Sequence, residues 1–318
     1  MMRKNMHFTA TRRQALRVVC LGAAVALLAT AAWGQQVGDR RPADSLDGPP
    51  IVTAKAWAIA DARTGELLWG DQQATPLQMA STTKIMTAWI VFELAAENPS
   101  VLEEVVVMSP RADTTGGTSA AVGAGERIAV ADLLFGLLLP SGNDAAVALA
   151  EHFGERLAAE SGSAAEKVDP LEQFTAEMNR RAADLGMNET HYFDPHGNSK
   201  NRSSARDLLR LASTAMQSAT FSRYVNTRRH ECQVTTDDGQ KRTIAWANTN
   251  KLLEIEGFDG IKTGRTGGAG SCLVSRGRRG DDQLLVVVLG STSADGRFVD
   301  SRNLYRWAWR ERESKRKN

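Results

Sequence analysis

Cysteine is nearly absent from the 318 residues: Cys20, Cys232 and Cys272 are the only three. There is no CxxC and no HExxH, and the five histidines are scattered. The usual sequence signatures of a zinc or redox centre are therefore missing, and neither a metal nor a cofactor is expected. Charge of one sign is lacking too. Lys and Arg number 39 against 37 Asp and Glu, a formal net charge of +2. The basic runs are local: TRRQALR near the start, RGRRG at 276–280 and RERESKRKN at the end. A nucleic-acid domain concentrates its basic residues on one face, so no nucleic-acid partner is expected. Long apolar runs are also missing. The run VVCLGAAVALLATAAW at 18–33 falls short of the ~20 residues a membrane span needs.

That short run has informative flanks. Arg3, Lys4, Arg12, Arg13 and Arg17 precede it, the small residues Ala31, Ala32 and Gly34 end it, and polar GQQVGDRRPADS follows. Basic, apolar and small-residue regions in that order describe a secretory signal peptide over 1–34, with an uncleaved anchor as the alternative. TRRQALR also resembles a twin-arginine signal. The body of the protein is expected to work outside the cytoplasm, in the periplasm or at the outer face of the cytoplasmic membrane. Loss of the signal removes Cys20 and leaves two thiols, with a Cys232–Cys272 disulfide as the alternative.

Residues 35–50, rich in Pro, Gly, Asp and Gln, form a linker. AKAWAIADARTGELLWG gives two alternating apolar runs around DARTGE, a hairpin signal. QMASTTKIMTAWIVFELAAE has helical spacing and stops at Asn98-Pro99. EEVVVMS reads as a short strand and TTGGTSAAVGAGE as a loop. VADLLFGLLL reads as a helix halted at Pro140, and NDAAVALAEHFG as one that restarts after PSGN. Two further helices, PLEQFTAEMNRRAADLG and SARDLLRLASTAMQ, flank the polar loop NETHYFDPHGNSKNRS. KRTIAWANTN, GIKTGRT, GSCLVSRGR and DQLLVVVLGST read as strands, and GRFVDSRNLYRWAWRERE as a last helix. The expected class is α/β or α+β with an antiparallel sheet, in which the first hairpin joins the late strands. Residues 51–310 form the main domain, and 311–318 a solvated basic tail.

Three short motifs stand in order: Ser81-Thr82-Thr83-Lys84, Ser141-Gly142-Asn143 and Lys262-Thr263-Gly264. On a helix, position i+3 lies beside position i, so Lys84 can reach the Ser81 hydroxyl. A serine is a poor nucleophile until a base takes its proton. A lysine serves once burial and a cationic neighbour leave it neutral. Ser141 can relay a proton to a leaving amine, and Asn143 can donate to Lys84 or to a substrate amide. Lys262 is a positive charge suited to a substrate carboxylate and to keeping Lys84 neutral. Thr263 offers the same carboxylate a hydroxyl, and Gly264 lets an extended substrate approach the strand edge. The backbone N–H groups of Ser81 and Arg265 are candidates for an oxyanion hole.

SxxK, SxN and KTG together are the set shared by penicillin-binding proteins and class A β-lactamases. MASTTKIMTAW, DLLFGLLLPSGNDAA and DGIKTGRTGGAGSCLV, with NETHYFDPHGN and NTNKLL, resemble the D-alanyl-D-alanine carboxypeptidases, the low-molecular-mass penicillin-binding proteins. The resemblance covers about residues 50–310. It implies a β-lactamase/transpeptidase-like fold: an antiparallel sheet packed with helices, plus a helical subdomain. It also implies an acyl-enzyme on Ser81 with Lys84 as proton acceptor, Ser141 as second serine and Lys262 as substrate contact. The partners implied are peptidoglycan stem peptides and β-lactam antibiotics. Family members commonly carry His where this chain has Arg265, and many carry a further β-rich domain and an amphipathic anchor. Residues 265–318 leave room for two strands and a helix, and LYRWAWRERESKRKN makes a poor interfacial anchor, so at most a weak membrane-surface association is expected.

The rival activities are a D,D-endopeptidase of the same family, a serine β-lactamase and a non-catalytic penicillin-binding scaffold. No ExxLN-type segment lies between the second and third motifs, against a β-lactamase, and the intact motif set argues against a scaffold. Asp194-Pro195-His196-Gly197 reads either as a groove wall or as a plain turn. Asp144 reads as an acid favoured by the helix dipole, and Arg206 and Asp207 as caps and surface pairs. Trp246 and Trp307 read as core, and Asp113 and Thr115 as parts of a flexible loop.

Overall fold

The computed structural model describes residues 48–160 and 168–317. The signal peptide expected over 1–34 and most of the linker expected over 35–50 lie outside the described residues. In chain order the elements are β1 (Ala56–Asp61), β2 (Leu67–Asp71), β3 (Leu77–Gln78), α1 (Lys84–Glu97), β4 (Val105–Val107), α2 (Pro110–Asp113), β5 (Arg127–Ala129) and α3 (Val130–Leu138). Then come α4 (Asn143–Glu160), α5 (Pro170–Asp184), β6 (Arg202–Ser203), α6 (Ala205–Ala215), α7 (Ala219–Asn226), β7 (Arg229–Thr235) and β8 (Lys241–Ala247). The chain closes with β9 (Phe258–Thr266), β10 (Gly270–Arg279), β11 (Asp282–Ser291) and α8 (Gly296–Lys317).

The main sheet is antiparallel in the order β2-β1-β11-β10-β9. The first hairpin thus joins the late strands, as its pattern led one to expect. Successive strand side chains point to opposite faces, and here both faces are covered. Ala56, Ala58, Ala60, Leu285, Val287 and Leu289 enter the large core shared with α1 and α6. Trp57, Ile59, Leu284, Val286 and Val288 enter a second core under α8, with Leu304, Tyr305, Trp307 and Ala308. That is why LLVVVL reads as an unbroken apolar run. Each such side chain contributes about 1.5–3 kcal/mol of burial, and Val287→Asp would place an unpaired carboxylate in the middle of the larger core.

A second lobe is built around α1, which is apolar on nearly all sides because it runs through the interior. Helices α3, α4 and α5 and the small sheet β4-β5-β7-β8 complete it. Strand β8, grouped in the sequence with β9–β11, pairs instead with β7 in this second sheet. Strand β7 and helix α7 are additions to the sequence reading. In β7 only His230, Cys232 and Val234 turn inward, a signal too short to stand out in a polar stretch.

Helix α8 runs on through Lys317, so the stretch read as a solvated basic tail is helical. Arg312 anchors it, with Nη2 2.7 Å from Asp61 Oδ2 and Nε 3.1 Å from Asp282 Oδ1. The aromatic residues Tyr305 and Trp307 are spent on the second core, Trp307 lying edge-on to Trp57 and Trp69. Cys232 and Cys272 are free, buried thiols, as expected; the alternative disulfide is not formed. Trp246 and Trp307 are both buried, as expected of core residues. No helix among the described residues is long and apolar enough to cross a membrane.

Candidate active site

The continuous helix expected over 78–97 is interrupted. Residues Ala80–Thr83 form a 3-10 turn, and α1 proper begins at Lys84. Ala80 has φ +49, and the Thr82 hydroxyl donates to the Met79 carbonyl at 2.7 Å. The turn lifts Ser81 to the entrance of α1 while keeping Lys84 one turn below it. Lys84 Nζ lies 3.1 Å from Ser81 Oγ, 2.7 Å from Asn143 Oδ1 and 2.9 Å from the His196 carbonyl oxygen. Lys84 is fully buried. Burial is the largest influence on its pKa and, against the opposing charges of Asp194 and Asp144, brings it down to about 7.

The second motif fills the break between α3 and α4. Ser141 has φ +73 and is buried, and its Oγ has no hydrogen-bond partner. Its carbonyl accepts from the Thr118 hydroxyl. Asn143 opens α4; its Nδ2 donates to the Gly116 carbonyl at 2.7 Å and its N–H to the Thr118 carbonyl at 2.7 Å. Asp144 is more than a dipole-favoured acid. It is buried and accepts from Ala120 N at 2.8 Å and from the Ser119 hydroxyl, so it clamps the 116–121 loop against the motif. Asp113 and Thr115 take no part in the cleft itself.

The third motif lies on β9, the edge of the main sheet. Gly264 lines the cleft, and the structure adds a second reason for glycine there. A Cβ there would stand 2.9 Å from Ser81 N and 3.0 Å from Thr82 N, so glycine lets the strand pack directly on the Ser81 turn. Thr263 Oγ1 and Thr249 Oγ1 are 2.7 Å apart. Lys262 is buried behind the strand, and its Nζ donates to the Thr263 carbonyl at 3.1 Å. No carboxylate among the described residues pairs with it. Burial, then the charges of Lys84 and Arg297, pushes its pKa well below the usual lysine range. The expectation that Lys262 keeps Lys84 neutral is therefore revised: burial of Lys84 itself is the leading cause.

The Asp194–Gly197 stretch is both a turn and a wall of the site. Asp194 accepts from the backbone N–H groups of His196, Gly197 and Ser199. The result aims the His196 carbonyl at Lys84. Burial raises the Asp194 pKa, but His196 and these donors outweigh it and leave the carboxyl below its usual range. Asp207 is buried and serves Glu189 N and the Thr190 hydroxyl rather than the surface, whereas Arg206 pairs with Glu189 as expected.

Ser81, Ser141, Asn143, Thr263, Gly264 and Arg265 all line one cleft of about 320 Å³, together with Gly117, Thr118 and Asn198. Lys84 and Lys262 stand buried behind it. Arg297 also lines the cleft and donates to the Gly264 carbonyl at 2.9 Å. The motif reading missed it, yet a signal existed: a cation in the first turn of α8 opposes the helix dipole. Its pKa is lowered, chiefly by burial and further by Arg265.

A buried amine beside a serine hydroxyl, in a cleft between an antiparallel sheet and a helical lobe, defines a serine acyl-transfer enzyme. The family model described as D-alanyl-D-alanine carboxypeptidase matches residues 44–293, and the chain belongs to that family of serine hydrolases. The D-alanyl-D-alanine carboxypeptidase of Streptomyces sp. strain K15 is 36% identical over 305 residues, covering 94% of this chain and 98% of that one. The crystal structure of the Streptomyces K15 DD-transpeptidase superposes with a TM-score of 0.75 at 32% identity, covering 82% of this chain and 99% of that chain. The D-alanyl-D-alanine endopeptidase of Escherichia coli is 27% identical, covering 89% of this chain and 86% of its own.

Proposed function

We propose that this chain is an exported D,D-carboxypeptidase that removes the terminal D-alanine from peptidoglycan stem pentapeptides through an acyl-enzyme on Ser81. The observation that carries the mechanism is the contact of Lys84 Nζ with Ser81 Oγ at 3.1 Å, with the amine buried and its pKa near 7. In its neutral form Lys84 takes the Ser81 proton as Oγ attacks the carbonyl of the penultimate D-alanine. The Ser141 hydroxyl, free of other partners, gives its proton to the departing D-alanine amine as the peptide bond breaks and is reprotonated by Lys84, which returns to its neutral form. The ester on Ser81 is then cleaved by water, which restores the serine. The N–H groups of Ser81 and Arg265 receive the oxyanion in both steps.

The substrate's terminal carboxylate is met by the positive end of the cleft. Arg265 and Arg297 line it, the Thr263 hydroxyl faces it, and Lys262 lies just behind. An anion there would raise the lowered pKa of Lys262 and return its charge. This favours substrates with a free C-terminus over cross-linked peptides, whose scissile bond has no such terminus beside it, and so favours carboxypeptidase over endopeptidase action. None of the described residues lining the cleft is a carboxylate. That argues against fast deacylation of the β-lactamase kind and for β-lactams as long-lived inhibitors. The signal-like pattern over 1–34 supports export to the periplasm or the outer face of the cytoplasmic membrane.

Incubating the purified protein with pentapeptide, and separately with cross-linked dimer, tests this by product mass. Loss of one alanine from the pentapeptide is expected. Cleavage confined to the dimer would reassign the chain to endopeptidase action.

A further inference from the structure

Strand β7 turns His230 and Cys232 to the same face, and Asp132 in the first turn of α3 meets them from the neighbouring helix. His230 Nε2 and Asp132 Oδ1 are 2.7 Å apart. One ligand atom from each of Asp132, His230 and Cys232 lies within 4.8 Å of the others. The cluster has no part in the cleft or its motifs. We propose that these three side chains bind a zinc-type divalent cation, with solvent as the fourth ligand.

Three observations carry this. The donor set is one carboxylate oxygen, one imidazole nitrogen and one thiol sulfur. It suits zinc or cobalt and not the oxygen-seeking magnesium or calcium. The imidazole is already held in plane: it stacks on Phe135 at 3.8 Å and lies parallel to Trp246 at 6.2 Å. The site is also reachable, since the Asp132 and His230 side chains keep 31% and 23% exposure while Cys232 forms its floor. Bonds of about 2.0–2.3 Å to a tetrahedral ion set the ligand atoms about 3.3–3.8 Å apart. The Asp132–His230 contact must therefore open by about half an ångström, with the sulfur, already within 4.8 Å of both, held at the same spacing.

Without a cation the thiol is pushed up to about 12, chiefly by burial and then by the Asp132 carboxylate, with Glu231 adding and Arg242 opposing. A bound cation reverses that preference and takes the thiolate, releasing the proton to solvent. The plainer reading is a charged hydrogen bond tying α3 to β7 over a small core cysteine. The two readings differ in their response to metal.

The full chain, stripped with a chelator, is titrated with cobalt(II) alone. A thiolate-to-cobalt charge-transfer band saturating at one equivalent is expected, with zinc displacing it and raising the melting temperature. Cys232→Ser should abolish the band although Cys20 and Cys272 remain. Should that variant fail to fold by circular dichroism, His230→Gln serves instead, with affinity weakened by more than the about tenfold that loss of even an outer-shell partner costs. Absence of the band, its survival in Cys232→Ser, or unchanged affinity in a folded His230→Gln would overturn the proposal.

Discussion

Lys84 Nζ and Ser81 Oγ stand 3.1 Å apart across a change of helix type, the serine in a 3-10 turn and the lysine at the first position of α1. The change matters because the serine must face the cleft while the amine stays dry. Asn143 Oδ1 and the His196 carbonyl accept the remaining Nζ hydrogens, so the amine is oriented from three separate segments. The first expected outcome follows directly. Benzylpenicillin should add one equivalent to the protein, on the peptide that carries Ser81, and intact mass should show no adduct in Ser81→Ala.

Acylation should also follow the titration of Lys84. Its pKa near 7 means the neutral, proton-accepting form is a minority below that pH. The acylation rate constant is expected to rise about tenfold per pH unit below pH 7 and level off above it. Lys84→Arg cannot release its proton and should lose about 10²–10⁴-fold at every pH. The same shift carries a stability sign. Between pH 7 and the ordinary lysine value the unfolded chain binds the extra proton, so stability from this group rises with pH across that window. Stopped-flow acylation from pH 5 to 9 checks the first point, and denaturant melts over pH 7 to 10 check the second. A flat acylation profile would move the base elsewhere.

Backbone contact around Ser81 gives a third outcome. Gly197 has φ +90, and a Cβ there would stand 2.0 Å from the Ala80 carbonyl oxygen. Gly197→Ala is strained on both counts. It should cost about 1–3 kcal/mol from the backbone conformation alone, and displace the His196 carbonyl from Lys84. Thermal unfolding should fall by several degrees and acylation with it; a variant that melts and acylates like the wild type would remove this loop from the site.

Arg312 carries a prediction about the end of the chain. It bridges Asp61 and Asp282, both largely buried. Burial raises the Asp61 pKa, but the Arg312 contact and the N–H groups of Arg63 and Thr64 leave it below its usual value. A lowered carboxylate pKa contributes stability above the unfolded value, which is lost as the pH falls through the folded one. Arg312→Ala should therefore cost about 1–3 kcal/mol at neutral pH, less than a fully buried pair because the guanidinium keeps some water contact. The gap from wild type should close towards pH 3. Urea melts at pH 7 and pH 3 measure both ends.

How much of this was legible in the sequence depends on the range of the forces involved. The three motifs and the β1–β2 hairpin are local patterns, and local pattern alone picks out Ser81, Lys84, Ser141 and the KTG strand. The break before α1 was not legible, because it rests on the Met79 carbonyl and the backbone of Ala80 rather than on a helix breaker. Nor was the work of Asp144 and Asp194. Each acts on backbone groups brought near by folding, and no spacing announces such contacts. The crowding of Gly264 against the Ser81 turn was not legible either, because that contact is made only by folding. Arg312 looked like tail because a salt bridge to residue 61 leaves no trace at residue 312.

Lys262 and Arg297 divide the last prediction between them. Both are basic residues at the end of the cleft proposed for the carboxylate, but Arg297 lines it while Lys262 is buried behind Thr263. If the free carboxylate is read by Arg297, then Arg297→Ala should lower kcat/KM for an acyl-D-Ala-D-Ala acid by roughly ten- to a hundredfold, the worth of a charge-assisted hydrogen bond of about 1.5–3 kcal/mol. It should change little for the C-terminal amide, which is expected to be a poor substrate for the wild type as well. Lys262→Ala acts differently if its charge is called up only when an anion arrives: it too should spare the amide relative to the acid. A Lys262 that instead tunes Lys84 would slow both substrates alike, and would shift the pH midpoint of acylation as well. Measuring acid and amide on wild type and both variants, with the pH profile of each, separates these roles. Equal losses on the two substrates in both variants would remove carboxylate recognition from the cleft and, with it, the main reason to favour carboxypeptidase over endopeptidase action.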